Sequence, residues 1–315
     1  MSEFDLIQDF FQWSHMPDSV RIGVGDDAAV LRVPLDKELL VSVDTLNAGV
    51  HFPLETLPHA IGHKALAVNL SDLAAMGADP AWFTLAVSLP HADKQWLSEF
   101  ARGLKSLADE HKIFLIGGDT THGPLSLTIQ VIGFAPPKRA LLRSNAQHGD
   151  LVCVSGTLGD AAAGSAVVQQ RLSLPAEAAD YCVKRLNYPT PRLLLGRVLR
   201  DYAHACMDIS DGLLADLGHV VARSGIGAQL NAKSIPFSSA LQALTEEQRM
   251  PFALTGGDDY ELLFTIAPSR FAELQQAVKH LQTPLTVIGV MDKNLSEVSI
   301  DYTLSSHKRG NDPFS

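Results

Sequence analysis

Six short windows set acids beside glycine, serine or threonine: Gly23-Val24-Gly25-Asp26-Asp27, Ser42-Val43-Asp44-Thr45, Asn69-Leu70-Ser71-Asp72, Gly117-Gly118-Asp119-Thr120-Thr121, Asp208-Ile209-Ser210-Asp211-Gly212 and Gly256-Gly257-Asp258-Asp259-Tyr260-Glu261. None contains a lysine or arginine. Carboxylates at strand or helix ends without a basic partner repel one another and lose solvation, and a folded site relieves this by binding cations. Oxygen-only donors suit hard cations, Mg²⁺ first among them. Mg²⁺ bridges a few carboxylates to substrate phosphates, so a nucleotide is the implied third party. The glycines then let backbone N–H groups approach phosphate oxygens. One Gly-Asp pair alone reads as a turn; six base-free windows point to a site.

Alternating strands and helices must position these windows. Strands are expected at 38–43, 82–89, 113–116 and 125–134, with helices at 59–77 and 93–111. The first helix is rich in Ala and Leu and closes at Gly77 and Asp79-Pro80. The second is amphipathic through Trp96, Leu97, Phe100, Leu104, Leu107 and Ala108. Asp72 shares its helix face with Ala65, Asn69 and Met76, which aims its carboxylate at packed surroundings; the alternative is a structural Asp held by Asn69 or a backbone N–H. The apolar period stops at Ala135-Pro136-Pro137-Lys138, a domain seam dividing 1–137 from 138–315. Beyond it, strands are expected at 150–155, 205–209, 226–230, 252–254, 261–266 and 285–290, and helices at 161–170, 191–202, 212–224 and 269–281. The class is therefore α/β or α+β, with no clear internal repeat.

Composition excludes several partners. The chain has 315 residues, 25 Lys plus Arg against 35 Asp plus Glu, and a formal net charge of -10. With no basic run, bare nucleic acid and anionic membranes are disfavoured. The longest uncharged stretch, near 120–137, is broken by glycines and prolines, so no membrane span is expected. The opening residues lack the order of a signal peptide. Cys153, Cys182 and Cys206 are scattered, with no CxxC pair, and a reducing cytoplasm is the expected compartment. Two look-alikes fail. Residues 23–28 match G-x-G-x-x-A with Asp44 downstream, but two Asp would crowd a pyrophosphate and Arg32-Val33-Pro34 interrupts the helix that must follow. Neither a Walker A motif nor H-E-x-x-H occurs. His51 is the histidine placed near an acidic window, and Arg143-Ser144 is the nearest phosphate clamp.

The motifs G-D-D-A-A-V-L (25–31), S-V-D-T-L with G-V-H-F (42–52), K-A-L-A-V-N-L-S-D-L-A-A-M-G-A-D-P (64–80), G-G-D-T-T-x-G (117–123), R-S (143–144), M-D-I-S-D-G-L (207–213) and G-G-D-D-Y-E-L (256–262) resemble, in order, those of the thiamine-monophosphate kinase family within the aminoimidazole-ribonucleotide synthetase-like superfamily. The resemblance implies ATP- and Mg²⁺-dependent phosphorylation of thiamine monophosphate to thiamine diphosphate. It implies a two-domain fold of mixed sheets flanked by helices, with an N-terminal Mg-ATP-binding domain that dimerises through its sheet and a C-terminal domain completing the site. Carried over position by position, Asp27, Ser42, Val43, Asp44, Asp72, Asp119, Asp208 and Asp211 are the implied Mg²⁺ ligands. Gly118, Asp119, Arg143 and Ser210 are the implied ATP contacts, and His51, Asp258 and Asn311 the implied substrate contacts. Two departures stand out. The family reads G-G-E-D-Y-E-L where this chain has Asp258, one methylene shorter, and Asn311 stands where the family has an aromatic residue, with Phe314 nearby.

The chemistry agrees with the resemblance on one point. A phosphate monoester acceptor has a second pKa of about 6 and is already largely ionised at neutral pH, so it needs charge neutralisation rather than a general base. Other members of the superfamily are the rivals, although no Cys lies near the N-terminus for a selenophosphate synthetase and the chain closes on Pro313-Phe314-Ser315 without the Cys of a hydrogenase-maturation relative. From a different class, a noncatalytic Mg-nucleotide sensor would use the same windows.

Overall fold

The computed structural model describes residues 3–13 and 16–303. Two compact units divide between 138 and 139, the second also taking in Ala74–Gly77.

The first unit runs α1 (Glu3–Leu6), a short π-helix (Ile7–Phe11), β1 (Val20–Ile22), β2 (Val30–Leu31), β3 (Glu38–Asn47), α2 (Pro58–Ala75), β4 (Asp79–Leu89), α3 (Lys94–His111), β5 (Phe114–His122) and β6 (Ser126–Ala135). Its main sheet has the order β3-β6-β4-β5, with β4 and β5 parallel and the other pairs antiparallel. Strand β3 alternates: Leu40 and Leu46 are buried, while Leu39, Val41 and Val43 are 50%, 53% and 54% exposed on the other face. Helix α2 is apolar nearly all round, with Ala65, Leu66, Ala67, Val68 and Leu70 buried, as befits a helix covered on all sides. Helix α3 starts where Asp93 Oδ1 accepts the N–H groups of Gln95 and Trp96 at 2.8 and 3.0 Å, a cap that contributes about 1 kcal/mol. The two helices pack through reciprocal glycines. A Cβ on Gly62 would sit 2.1 Å from the Phe100 carbonyl oxygen, and one on Gly103 would sit 1.9 Å from that of His59.

Three boundaries move, each with consequences for the site. The strand expected at 113–116 continues to His122, so Gly117-Gly118-Asp119 lies inside β5, and the one expected at 38–43 continues to Asn47, so Asp44-Thr45 lies inside β3. Asp79-Pro80, expected to close a helix, opens β4; Pro80 stands beside an irregularity of the β4–β6 ladder, where a missing N–H is tolerated.

The second unit comprises β7 (Leu151–Ser155), α4 (Asp160–Val168), α5 (Ala176–Asn187), α6 (Leu193–Leu199), β8 (Ala203–Asp208), α7 (Leu213–Ser224), β9 (Gly227–Leu230), α8 (Ser239–Gln242), α9 (Glu246–Thr255), β10 (Leu262–Ile266), α10 (Pro268–Ala277), β11 (Leu285–Asp292) and β12 (Val298–Ile300). Its sheet has the order β12-β9-β11-β7-β10-β8, antiparallel except for the β12–β9 pair. Val152, Val154, Met207, Leu217, Val220, Leu263 and Ile288 form the centre of its core. Residues 252–254, expected as a strand, lie in α9. A capping box of Thr245 and Gln248 starts that helix, and Met250, Ala253 and Leu254 bury one face at helical spacing. The apolar triplet after Pro251 reads as a strand only if this cap is overlooked. Helix α5, absent from the sequence reading, is anchored by Cys182 and Leu186, four apart.

Candidate functional site

In the first unit, β3 and α2 bring two acidic windows together. Side chains two apart on a strand share a face, so Ser42 and Asp44 lie on the side of Leu40 and Leu46. Ser42 Oγ donates to Asp72 Oδ2 at 2.5 Å, and the Asp44 N–H donates to Asn69 Oδ1 at 3.0 Å. Asn69 is fully buried, and its amide also donates to the Ala65 carbonyl at 2.9 Å. One partner of Asp72 is therefore a strand hydroxyl, while Asn69 serves the strand backbone. Val43 is aliphatic, faces the exposed side, and has only its main-chain carbonyl to offer a cation. His51 follows β3 in a turn, where its Nδ1 accepts the Asn47 N–H at 3.0 Å, leaving Nε2 to carry the proton of a neutral ring.

A cavity of about 590 Å³ in the same unit is lined by Gly23 to Ala29 on one side and Leu115 to Thr120 on the other. Asp26, Asp27, Gly117, Gly118 and Asp119 thus share one space, and no Lys, Arg, His or Cys is among the described residues lining it. Only glycine fits at position 118, where a Cβ would lie 1.8 Å from the Leu85 carbonyl oxygen of the neighbouring parallel strand. The glycine window at 23–27 leads into β2 rather than a helix, which disposes of the dinucleotide fingerprint.

In the second unit, Asp208 ends β8 buried, and the loop to α7 carries Ser210 and Asp211. Asp216, missed in the sequence, shapes this loop. Its Oδ2 accepts the N–H groups of Ser210, Asp211 and Gly212 at 3.1, 3.1 and 3.0 Å. Burial pushes the Asp216 carboxyl up, Asp208 and Asp211 add to the rise, the backbone donors oppose it, and the result is about 7. An acid four residues into a helix after a Gly start was the available signal. Burial also raises Asp211, with His219 and Arg143 pulling against it and Asp258 adding to the rise. Asp211 therefore feels the charges of Arg143 and Asp258, and the Asp258 N–H donates to the Ser210 carbonyl at 2.9 Å.

The absence of basic partners within each window does not hold for the last of them. Glu261, 1% exposed, receives Nε of Arg192 at 2.7 Å, Nη2 of Arg185 at 2.9 Å and Ser155 Oγ at 2.6 Å. Burial would raise its carboxyl, but the Arg192 hydrogen bonds and charge, followed by Arg185, hold it below its ordinary value. Asp259 Oδ2 accepts the Gly159 N–H at 2.7 Å, and burial drives that carboxyl well up. Asp259 and Glu261 are thus buried and held by protein partners, whereas Asp258 in the same window is half-buried. Burial raises all three cysteine thiols, which leaves them without thiolate character. Asn311 and Phe314 lie outside the described residues.

Among the described residues no three His, Cys, Asp or Glu side chains form a ready cage for a metal. Mg²⁺ does not require one: it keeps several waters and takes one or two carboxylates plus phosphate oxygens. The all-oxygen pairs Asp27 with Asp119 and Asp72 with Ser42 fit that donor chemistry.

The fold and its oxygen-lined surfaces define a class. AIR synthase related protein, N-terminal domain, matches residues 25–135, and AIR synthase related protein, C-terminal domain, matches 147–301. Thiamine-monophosphate kinase of Escherichia coli K12 is 48% identical over 93% of this chain and 91% of its own length. The crystal structure of thiamine-monophosphate kinase from Stenotrophomonas maltophilia superposes with a TM-score of 0.86 at 48% identity, covering 91% of this chain and 93% of that one. AaThiL complexed with AMPPCP and TMP superposes with a TM-score of 0.79 at 30% identity over 98% and 94%. The chain belongs to the thiamine-monophosphate kinase family, and the expected two-domain fold of mixed sheets flanked by helices holds.

Proposed function

We infer that the protein transfers the γ-phosphoryl group of ATP to thiamine monophosphate, making thiamine diphosphate by direct in-line displacement. The observation that carries this is the cavity that holds Asp27, Gly118 and Asp119 with no Lys, Arg, His or Cys among its described lining residues. Such a surface suits a cation-bound polyphosphate, and family membership supplies the substrates: one relative was solved with both AMPPCP and TMP. Gly118, Asp119, Arg143 and Ser210 are the proposed ATP contacts, as the family resemblance implies. Asp27, Ser42, Asp44, Asp72, Asp119, Asp208 and Asp211, with the Val43 carbonyl, are proposed to hold Mg²⁺. When bound, Mg²⁺ supplies the positive charge that lets two phosphate anions approach. His51 and Asp258 orient thiamine monophosphate, as does Asn311. No residue is assigned as a general base, since the acceptor phosphate is already ionised.

The exposed stripe Leu39, Val41 and Val43 on edge strand β3 supports a homodimer formed through the first unit's sheet. No described helix is long and apolar enough to cross a membrane, and a cytoplasmic location is proposed. Incubation with thiamine monophosphate, ATP and Mg²⁺, followed by chromatographic product analysis, tests the whole reading. Thiamine diphosphate and ADP in equal amounts are expected; ATP binding without product would instead support a nucleotide sensor.

A further inference from the structure

The turn that presents Asp258 has an uncommon backbone. Asp258 has φ 70° and Tyr260 φ 50°, so two non-glycine residues flanking Asp259 both sit in the left-handed region. Such conformations are strained for L-residues and persist where their surroundings over-determine them. Here the main chain is tied on both sides: the Asp258 N–H donates to the Ser210 carbonyl at 2.9 Å, the Tyr260 N–H to the Ile209 carbonyl at 2.8 Å, and the Ile209 N–H to the Glu261 carbonyl at 2.8 Å. The side chains add further ties. Arg185 Nη2, reaching from α5, donates both to the Asp259 carbonyl at 3.2 Å and to Glu261 Oε1 at 2.9 Å, so one guanidinium nitrogen spans the turn across Tyr260. The Tyr260 hydroxyl then donates to Asp258 Oδ1 at 3.1 Å.

We propose that Arg185 and Tyr260 are positioning residues for thiamine monophosphate recognition: Arg185 holds the backbone of turn 258–260, and the Tyr260 hydroxyl orients the Asp258 carboxylate. This rests on the assignment of Asp258 to the substrate. Arg185 is confined by its acceptors, with a side-chain exposure of 13%, and belongs to the scaffold rather than to the ligand surface. The arrangement suits the shorter side chain at 258: Asp reaches less far than Glu and has fewer rotamers, so its placement depends more on the backbone beneath it.

Calorimetric titration of each variant with thiamine monophosphate and, separately, with AMPPCP tests this. Tyr260→Phe and Arg185→Gln are expected to weaken thiamine monophosphate binding about tenfold or more, with Arg185→Lys between them and wild type, while AMPPCP affinity stays within about twofold. Tyr260→Phe removes one oxygen atom and keeps the ring, so it carries the test if Arg185→Gln does not fold. Adding Tyr260→Phe to Asp258→Asn is expected to weaken binding no further, because the hydroxyl acts through the carboxylate. If Asp258→Asn loses thiamine monophosphate affinity while Tyr260→Phe and Arg185→Lys keep it, the positioning role is wrong and the substrate role of Asp258 stands. If Asp258→Asn itself binds normally, both fall. Equal losses for the two ligands would mark Arg185 as merely structural and overturn its proposed role.

Discussion

Ser42 Oγ and Asp72 Oδ2 are joined by a 2.5 Å hydrogen bond where β3 packs on α2. A hydroxyl donating to a half-buried carboxylate restricts its rotamer, and a carboxylate has oxygens of the kind that Mg²⁺ accepts as ligands. Asp72→Asn keeps the volume but removes the charge. It is expected to retain the wild-type melting temperature within a few degrees and to lose about a hundredfold or more in kcat, with Ser42→Ala losing less. Initial rates across a Mg²⁺ titration check this, and near-wild-type turnover by Asp72→Asn would remove that residue from the site.

Gly117 and Gly118 are adjacent but differ in what surrounds them. A Cβ at 117 meets nothing within 4 Å, whereas one at 118 would strike the Leu85 carbonyl oxygen at 1.8 Å. Gly118→Ala must push β5 from β4, at a cost of about 1–3 kcal/mol, while Gly117→Ala leaves the sheet intact. Thermal melts of the two variants side by side should separate by several degrees; equal melting points would refute the close strand approach.

Asp216 offers a test in pH. Its carboxyl lies at about 7 in the folded chain against an ordinary value of 3.8. The folded state therefore holds a proton that the unfolded state has released, and the associated stability is intact below about 4 and lost as pH rises through about 7. In metal-free protein the melting temperature of Asp216→Asn relative to wild type should climb between pH 4 and 7 and then level off. A difference that does not vary with pH would contradict this origin of the shift.

Glu261 neutralises two arginines in a dry part of the second unit. Glu261→Gln keeps an acceptor but strands their charge, and a loss of about 3–5 kcal/mol is expected for breaking a buried ion cluster from one side. Urea denaturation should register this as a fall in midpoint with little change in slope. A midpoint within error of wild type would mean that solvent reaches the cluster.

The chemistry of the candidate site was legible because it is local: Gly118-Asp119, Asp208-Ile209-Ser210-Asp211 and Asp72 carry their meaning in residue type and neighbours. Its geometry was not. That Ser42 meets Asp72 depends on how β3 packs on α2, and that Asp259 and Glu261 are held by protein partners depends on Gly159, Arg185 and Arg192, which lie 69 to 100 residues away in sequence. Helix α5 supplies Arg185, and its apolar positions Ala178, Cys182 and Leu186, four apart, are a true helical period too short to stand out beside its charged neighbours. Residues 252–254 misled for the opposite reason, as three apolar neighbours outweighed a capping box seven residues upstream.

The reciprocal contact of Gly62 and Gly103 bears on all of this from a distance. Asp72 lies ten residues beyond Gly62, about 15 Å along the helix axis. With each glycine pressed against a carbonyl of the other helix, α2 can neither roll nor slide on α3. The direction in which Asp72 points is therefore set like the hand of a clock by a notch at the far end of its shaft. A methyl group added at either glycine would turn that hand without touching any polar atom of the site, so impaired turnover in a folded Gly62→Ala protein would be a change of aim rather than of chemistry.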